Sequence, residues 1–372
     1  MSRAVLITGG AGFIGSHLAD ALLQRGDRVR ILDNLDPQVH GDDRRRPDYL
    51  DAEVELHTGD VRDPEAVAKA LDGIDTVFHL AAKVGVGQSM YEVDTYTDVN
   101  NRGTAVLLEA LIKKPVERLV VASSMSIYGE GCYRDAEGNL TAGVERTLDQ
   151  LKNRQWEVMD SRGNVLTPIP TAENKQPALA SVYALSKYDQ EKLCLILGRA
   201  YNIPTVALRF FNVYGTRQAL SNPYTGVLAI FASRLLNDKA PLINEDGLQR
   251  RDFVSVQDVV QACMLAADKA PDVAGSVFNV GSGRNYSVLE VGRRLAEALG
   301  KDIAPEITGK YRVGDIRHCF ADISLTRDLL GYEPKVQLED SLVEIAHWLE
   351  GQIAVDRVQQ AATELSARGL TV

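Results

Sequence analysis

A chain of 372 residues exceeds one minimal core, and suits either two lobes or one large α/β unit with a smaller partner. Its 45% hydrophobic and 25% charged residues are ordinary for a globular protein, while a net charge of −10 argues against a nucleic-acid partner or an anionic membrane surface. Cys132, Cys194, Cys263 and Cys319 lack C-x-x-C spacing and the six histidines lack ligand spacing, so no metal, no disulfide framework and a reduced, cytoplasmic setting are expected.

The N-terminus has one arginine before a short apolar strand and so lacks the apolar region of a signal peptide; no stretch reaches the ~18 apolar residues of a membrane span. That strand, Val5 to Thr8, runs into Gly9, Gly12 and Gly15, with Phe13 and Ile14 between them and a helix from Ser16 to Gln24. Glycines so spaced let the backbone turn sharply and approach a pyrophosphate at the helix N-terminus. A second strand, Arg28 to Leu32, leads to Asp33 and Asn34. The basic run Arg44-Arg45-Arg46, between Asp43 and Pro47, reads as a solvated loop. Further along come strands at Val54 to Thr58, Thr76 to Leu80, Arg118 to Ser123 and Thr205 to Arg209, with a return strand at Val277 to Val280. Helices are expected at Pro64 to Leu71, Asn101 to Ile112, Val182 to Tyr201, Val227 to Leu236, Val288 to Leu299 and Leu338 to Glu350. The alternation predicts an α/β fold, a doubly wound parallel (Rossmann) sheet with a smaller C-terminal α/β cap. The dinucleotide domain is placed at 1–205, with 255–280 returning to it; the cap takes 206–254 and 281–350, and 351–372 forms a tail helix at the surface or a subunit contact. A polar insertion at about 131–175 breaks the alternation, with a hairpin at Asp160-Ser161-Arg162-Gly163.

Asp33 stands 24 residues after Gly9, where a carboxylate accepts both adenosine ribose hydroxyls and repels a 2′-phosphate, which selects NAD over NADP. Asp60-Val61 is placed to reach adenine, although a plain turn fits the same pattern. Tyr183 and Lys187 are four residues apart on one helix face. A phenol with a reference pKa of ~10 is a poor base at neutral pH, and a nearby ammonium together with a positive nicotinamide ring favours its phenolate. Ser124, at the end of the fifth strand, offers a hydroxyl for the same substrate oxygen.

These residues resemble the extended short-chain dehydrogenase/reductases of the nucleotide-sugar epimerase and dehydratase type. The likeness runs in order from about residue 3 to 350: Thr8 to Gly15, His79-Leu80-Ala81-Ala82, Ser123-Ser124 before Tyr128-Gly129, Tyr183 with Lys187, Arg209 to Gly215, Arg251-Asp252-Phe253 and Phe278-Asn279-Val280-Gly281. The resemblance implies that Leu80, Ala81, Ala82 and Lys83 line the cofactor, that Asn100 supports the sheet end beside it, and that Phe211 lies by the nicotinamide. It further implies that Asn212, Arg251 and Arg312, the last in a run ending at Asp315, hold the diphosphate of a sugar nucleotide, with Gly85, Val86, Ser124, Met125 and Ser126 near the sugar. Each arginine is also readable as a surface ion-pair partner.

Dehydrating relatives carry an Asp-Glu pair just after the catalytic hydroxyl, and decarboxylating ones a glutamate; this chain has Met125 and Ser126. Elimination of water needs both an acid and a base, so reversible oxidation at one carbon is what remains. The expectation is an NAD-dependent 4-epimerase of an NDP-hexose, a dTDP- or UDP-sugar, most similar to the dTDP-L-rhamnose 4-epimerase and UDP-sugar 4-epimerase group through Lys83 to Tyr91, the insertion and Ser221 to Gly226. Rival readings are a net 4-keto-sugar reductase and a non-catalytic NAD-binding regulator. Ala105, Val106, Leu108, Leu111 and Ile112 on the helix near 101–112, with Leu193, Leu195, Ile196 and Leu197 on that near 182–200, give more apolar surface than one sheet-facing stripe needs and predict a homodimer packed as a four-helix bundle. The insertion, anchored beside Ser124 and Tyr183, is expected to lie over the sugar end and act on specificity, the alternative being a surface excursion packed on the cap or on a partner subunit.

Overall fold

The computed structural model describes residues 2–224, 226–312, 314–352 and 356–371. Thr225, Val313, 353–355 and Val372, within the segments read above as substrate loops and tail, lie outside the described residues. Seven parallel strands form the main sheet: Ala4–Thr8, Arg28–Asp33, Glu55–Thr58, Thr76–His79, Arg118–Ser124, Thr205–Phe210 and Val277–Val280. Numbered from the N-terminus, they are ordered seven, six, five, four, one, two, three. All seven match strands expected from the sequence, and the fold class is the doubly wound one. Strands one, two, four, five and six are buried along almost their whole length, as helices on both faces require of a parallel sheet.

Several boundaries differ from the sequence reading. The first helix, Phe13–Gln24, starts three residues before Ser16, with Gly12 as its N-cap. The helix expected from Asn101 begins as a π-helical stretch, Thr97–Arg102, before Gly103–Lys113. The sixth strand, Thr205–Phe210, crosses the expected division between 205 and 206. A 14-residue helix, Val256–Lys269, was not expected; it packs its buried Val259, Ala262, Cys263 and Ala266 into the core beneath the sheet.

The cap has its own core, built from helices Val227–Leu236, Val288–Ala298 and Leu338–Leu349 around Phe231, Leu295 and Leu342. The insertion folds as a three-stranded antiparallel sheet, Leu140–Ala142, Cys132–Arg134 and Thr167–Ile169, over a small core of Tyr133, Val158 and Leu166. Its predicted hairpin is present, with Met159 bridged to Val165 and the Asp160 amide donating to the Asn164 carbonyl at 2.9 Å. The insertion docks on the cap: the Gly131 amide donates to the His318 carbonyl at 2.8 Å, and Thr171 bridges to Ala321. Arg317, fully buried, pairs across this junction with Glu157, Glu245 and Asp246 at 2.5, 3.0 and 2.6 Å. The insertion thus packs on the cap. It also reaches the site: Arg146 donates to the Asp315 carbonyl at 3.0 Å, and Lys175 donates to the Tyr128 carbonyl at 2.7 Å.

Candidate active site

Strand register assembles the site at the carboxyl ends of the sheet, where the strand order reverses. Thr8 pairs with both Leu32 and His79, so Gly9, Asp33 and Leu80 emerge side by side. Gly9 has φ +70°, and a Cβ there would come within 2.8 Å of the Ala81 Cα, so a side chain is excluded by both backbone and neighbour. At Gly12, the helix N-cap, a Cβ would meet only the Gly9 carbonyl, at 3.4 Å. The protein therefore leaves free the space where a pyrophosphate meets a helix N-terminus, and the cradle fits a dinucleotide.

Asp33 is buried, accepting from the Ala11 amide at 3.0 Å and the Leu35 amide at 2.9 Å. Burial raises its pKa, against the pull of those amides. Tyr49, which the sequence reading passed over, donates to the Ala11 carbonyl at 2.8 Å and so ties the following loop to the glycine turn. Asp60 accepts from the Arg62 amide and Nε through one oxygen, and from Asn34 and Arg62 Nη2 through the other. The Arg62 hydrogen bonds hold its pKa down at about 2. With those acceptor positions engaged, an adenine amine there would displace an existing partner. Val61 is buried against Gly103.

Asn100 is fully buried within the π-helical stretch. It accepts from the Lys83 amide at 2.7 Å and donates to the Lys83 carbonyl at 3.1 Å and to Ser186 Oγ at 2.9 Å. One side chain thereby joins the loop after the fourth strand to the helix that carries Tyr183 and Lys187.

That helix, Val182–Ala200, is capped by Ser181, whose hydroxyl accepts from the Ala184 amide. Tyr183, in its first turn, faces Ser124, which is paired in register with Phe210 on the neighbouring strand. Burial pushes the Tyr183 phenol up to about 12, opposed by the Ser124 hydroxyl. Ser124 and Ser126 share a hydrogen bond between their hydroxyls at 2.8 Å, and the Ser126 amide donates to Ser124 Oγ at 3.2 Å. Lys187 is buried and its pKa is lowered to about 8 by desolvation; its Nζ donates to Gln190 Oε1 at 2.7 Å. The expected lowering of the Tyr183 pKa joins Lys187 to a positive nicotinamide ring, and in the protein alone the phenol stands raised. Burial raises the phenol, and the ammonium turns along the helix to Gln190. Behind it, Gln190 donates to Thr104 at 2.8 Å, and His79, lowered to about 3 by burial, lies 2.8 Å from Thr8 Oγ1. Gln190 was missed from sequence, although it lies one turn beyond Lys187.

The expected substrate residues follow from the same register. Phe211, buried and 6.4 Å from Tyr128 between ring centres, and then Asn212, directly follow the strand end that pairs with Ser124. The Asn212 amide donates to the Asp252 carbonyl at 3.0 Å, which sets Asn212 beside Arg251. Asn212 Oδ1 is buried with no protein partner, an acceptor left for a ligand. Arg251 donates to the carbonyls of Arg317, at 2.9 Å, and Ile316, and its charge lies 3.8 Å from Asp315. Arg312 is bridged through its backbone to Thr371 in the C-terminal tail. Met125 and Ser126 form a buried turn beside Ser124, so neither adjacent position carries a carboxyl group.

Ser124, Tyr183 and Lys187 thus gather above a glycine turn at the switch point of a doubly wound sheet, the place where such folds bind dinucleotides. The model of the NAD dependent epimerase/dehydratase family matches residues 5–147 and 162–281, and the chain belongs to that family. A dTDP-L-rhamnose 4-epimerase from Burkholderia thailandensis is 36% identical over 356 residues, covering 94% of this chain and 96% of that one. A UDP-glucose 4-epimerase from Thermotoga maritima, solved with UDP-glucose, superposes with a TM-score of 0.76 at 31% identity, covering 93% of this chain and 98% of that one. Its counterpart from Thermus thermophilus, solved with NAD, gives 0.75 at 31% identity, covering 94% of this chain and the whole of that one.

Proposed function

We propose that this protein is an NAD-dependent nucleotide-sugar 4-epimerase working through a transient 4-keto sugar, with a dTDP-6-deoxyhexose such as dTDP-L-rhamnose as the first substrate to test. The observation that carries this reading is Tyr183 facing Ser124 where positions 125 and 126 offer neither the acid nor the base that elimination needs.

Bound NAD supplies a reversible hydride acceptor for C4 and a positive ring beside the phenol. The chain's own residues do the rest. Gly9 to Gly15 receive the pyrophosphate and Asp33 the adenosine ribose; Leu80 to Lys83 line the groove, with Asn100 bracing it. Tyr183 takes the proton from the C4 hydroxyl, with Ser124 hydrogen-bonded to the same oxygen and Ser126 fixing the Ser124 rotamer. Lys187, one turn along the same helix, and the positive ring of a bound NAD would together favour the phenolate against the burial that raises the phenol. Asn212, Arg251 and Arg312 hold the diphosphate end of the sugar nucleotide, with the Asp315 carboxylate 3.8 Å from the Arg251 charge, so that the keto sugar can turn about that tether and present its other face. Gly85, Val86 and Met125 border the sugar. The insertion acts on substrate choice by bracing residues 315–317 through Arg146 and Glu157.

Tyr183→Phe removes the base and little packing. It should lower kcat by about 10³, within the range of general-base loss, while NAD stays bound. A variant keeping a tenth of wild-type kcat would show that another group takes the proton.

A further inference from the structure

The sheet order places the first strand between the second and the fourth, so any side chain linking the loops after those two strands must pass over the glycine turn that follows the first. Such links exist, and none was legible as a motif. From the loop after the second strand, Asp36 pairs with Lys83 Nζ at 2.9 Å. Two residues on, Gln38 Nε2 donates to Gln88 Oε1 at 3.0 Å, and Gln88 Nε2 donates back to Gln38 Oε1 at 3.3 Å. Lys83 and Gln88 both belong to the loop after the fourth strand. The same Gln38 Nε2 donates to Asn222 Oδ1 at 2.9 Å, which brings in the cap. Asn222 is itself fixed, its Oδ1 accepting from the Tyr224 amide at 3.0 Å. The hydroxyls of Tyr224 and Tyr91 are 2.6 Å apart, and each lies 3.2 Å from Glu364 Oε2 on the C-terminal helix Val358–Ala367. Gln88 and Asn222 are buried, so these amide bonds form away from competing water.

We propose that Gln38, Gln88 and Asn222 form a clasp across the dinucleotide groove, which must open before the cofactor can leave, and that these positioning residues set the rate of cofactor release. The inference rests on the reading that the dinucleotide lies along Gly9 to Gly15, and it supplies what an epimerase needs: the reduced cofactor must stay until hydride returns. Neither glutamine has a place in the proton transfer. Each amide is a neutral, directional partner that closes without drawing charge away from Asp33 or Lys187.

The test uses the full chain loaded with NADH and chased with excess NAD, following loss of nicotinamide fluorescence. Gln38→Ala and Asn222→Leu should each speed release about tenfold or more, one cooperative buried bond being worth that factor. Asn222→Asp keeps both acceptor functions and should stay within about threefold of wild type. Wild-type release in both Gln38→Ala and Asn222→Leu would overturn the clasp, as would equal acceleration in all three variants, which would report general loosening of the cap loop. Thermal melting of each variant identifies any that fails to fold, and the opposite side of the clasp then decides. Release is read without turnover. Faster release in the variants of a protein that makes no epimer would therefore sink the proposed function and leave the clasp standing; unchanged release in a working epimerase would do the reverse.

Discussion

Lys187 is an ammonium in a place that penalises charge, and replacing it should make the protein more stable while ending its activity. The side chain is 3% exposed, and burial lowers its pKa from 10.5 to about 8. At ~1.4 kcal/mol per pKa unit that depression amounts to about 3 kcal/mol of native-state penalty at pH 7. Lys187→Met removes the penalty, keeps the apolar stem and leaves Gln190 Oε1 without its donor, a loss of about 1 kcal/mol. The net gain is about 2 kcal/mol. Its pH dependence fixes the cause. Below pH 8 both folded and unfolded wild-type chains hold the proton and the penalty is full; between about 8 and 10.5 the native state has released it while the unfolded chain still binds it, so wild-type stability rises with pH. By pH 9.5 the advantage of the variant should shrink by about 2 kcal/mol, to near zero. The assay is urea unfolding at both pH values on protein freed of dinucleotide. A variant less stable than wild type at pH 7, or a gain independent of pH, would refute the desolvation argument.

Asn100→Ala strips three hydrogen bonds from a fully buried position and leaves the Lys83 amide and carbonyl unpaired, so it should cost about 3 kcal/mol and weaken NAD binding; a loss under about 1 kcal/mol by urea midpoint would show that water replaces it. Asp33→Ala should weaken NAD and narrow its preference over NADP, and unchanged discrimination in fluorescence titrations would end the ribose assignment. We also propose a homodimer through the helices Gly103–Lys113 and Val182–Ala200, on which Leu185 and Ile196 are 47% and 49% exposed; a monomeric mass by light scattering at micromolar protein would contradict it.

Residues whose role depends on local chain geometry could be read from sequence, and residues whose role depends on distant partners could not. Thr8 to Gly15 announces its turn because only glycine suits the crowded backbone there, and the seven strands announce themselves as short apolar runs. By contrast, Gln38, Gln88 and Asn222 are polar loop residues whose meaning arises only when the strand order sets their loops across one groove. Arg317 carries no signal in the sequence, yet it is fully buried because Glu157, Glu245 and Asp246 converge on it from two other segments. The spacing of Tyr183 and Lys187 correctly put both on one helix face. Spacing carries no rotamer, however, and the turn of Lys187 toward Gln190 was invisible. Apolar periodicity on the 101–112 helix did not separate core from surface either: Leu108 and Leu111, counted toward a subunit face, are buried within the chain.

The central claim is that one hydride leaves C4 and returns to it within the same active site. The most direct test gives the enzyme a nucleotide sugar, dTDP-L-rhamnose first and UDP-glucose next, deuterated at C4, in ordinary water with unlabelled NAD added. Proton and deuterium NMR should show the 4-epimer forming with its deuterium still at C4 and none in the free cofactor. Deuterium in released NADH, or an epimer carrying hydrogen at C4, would contradict the account.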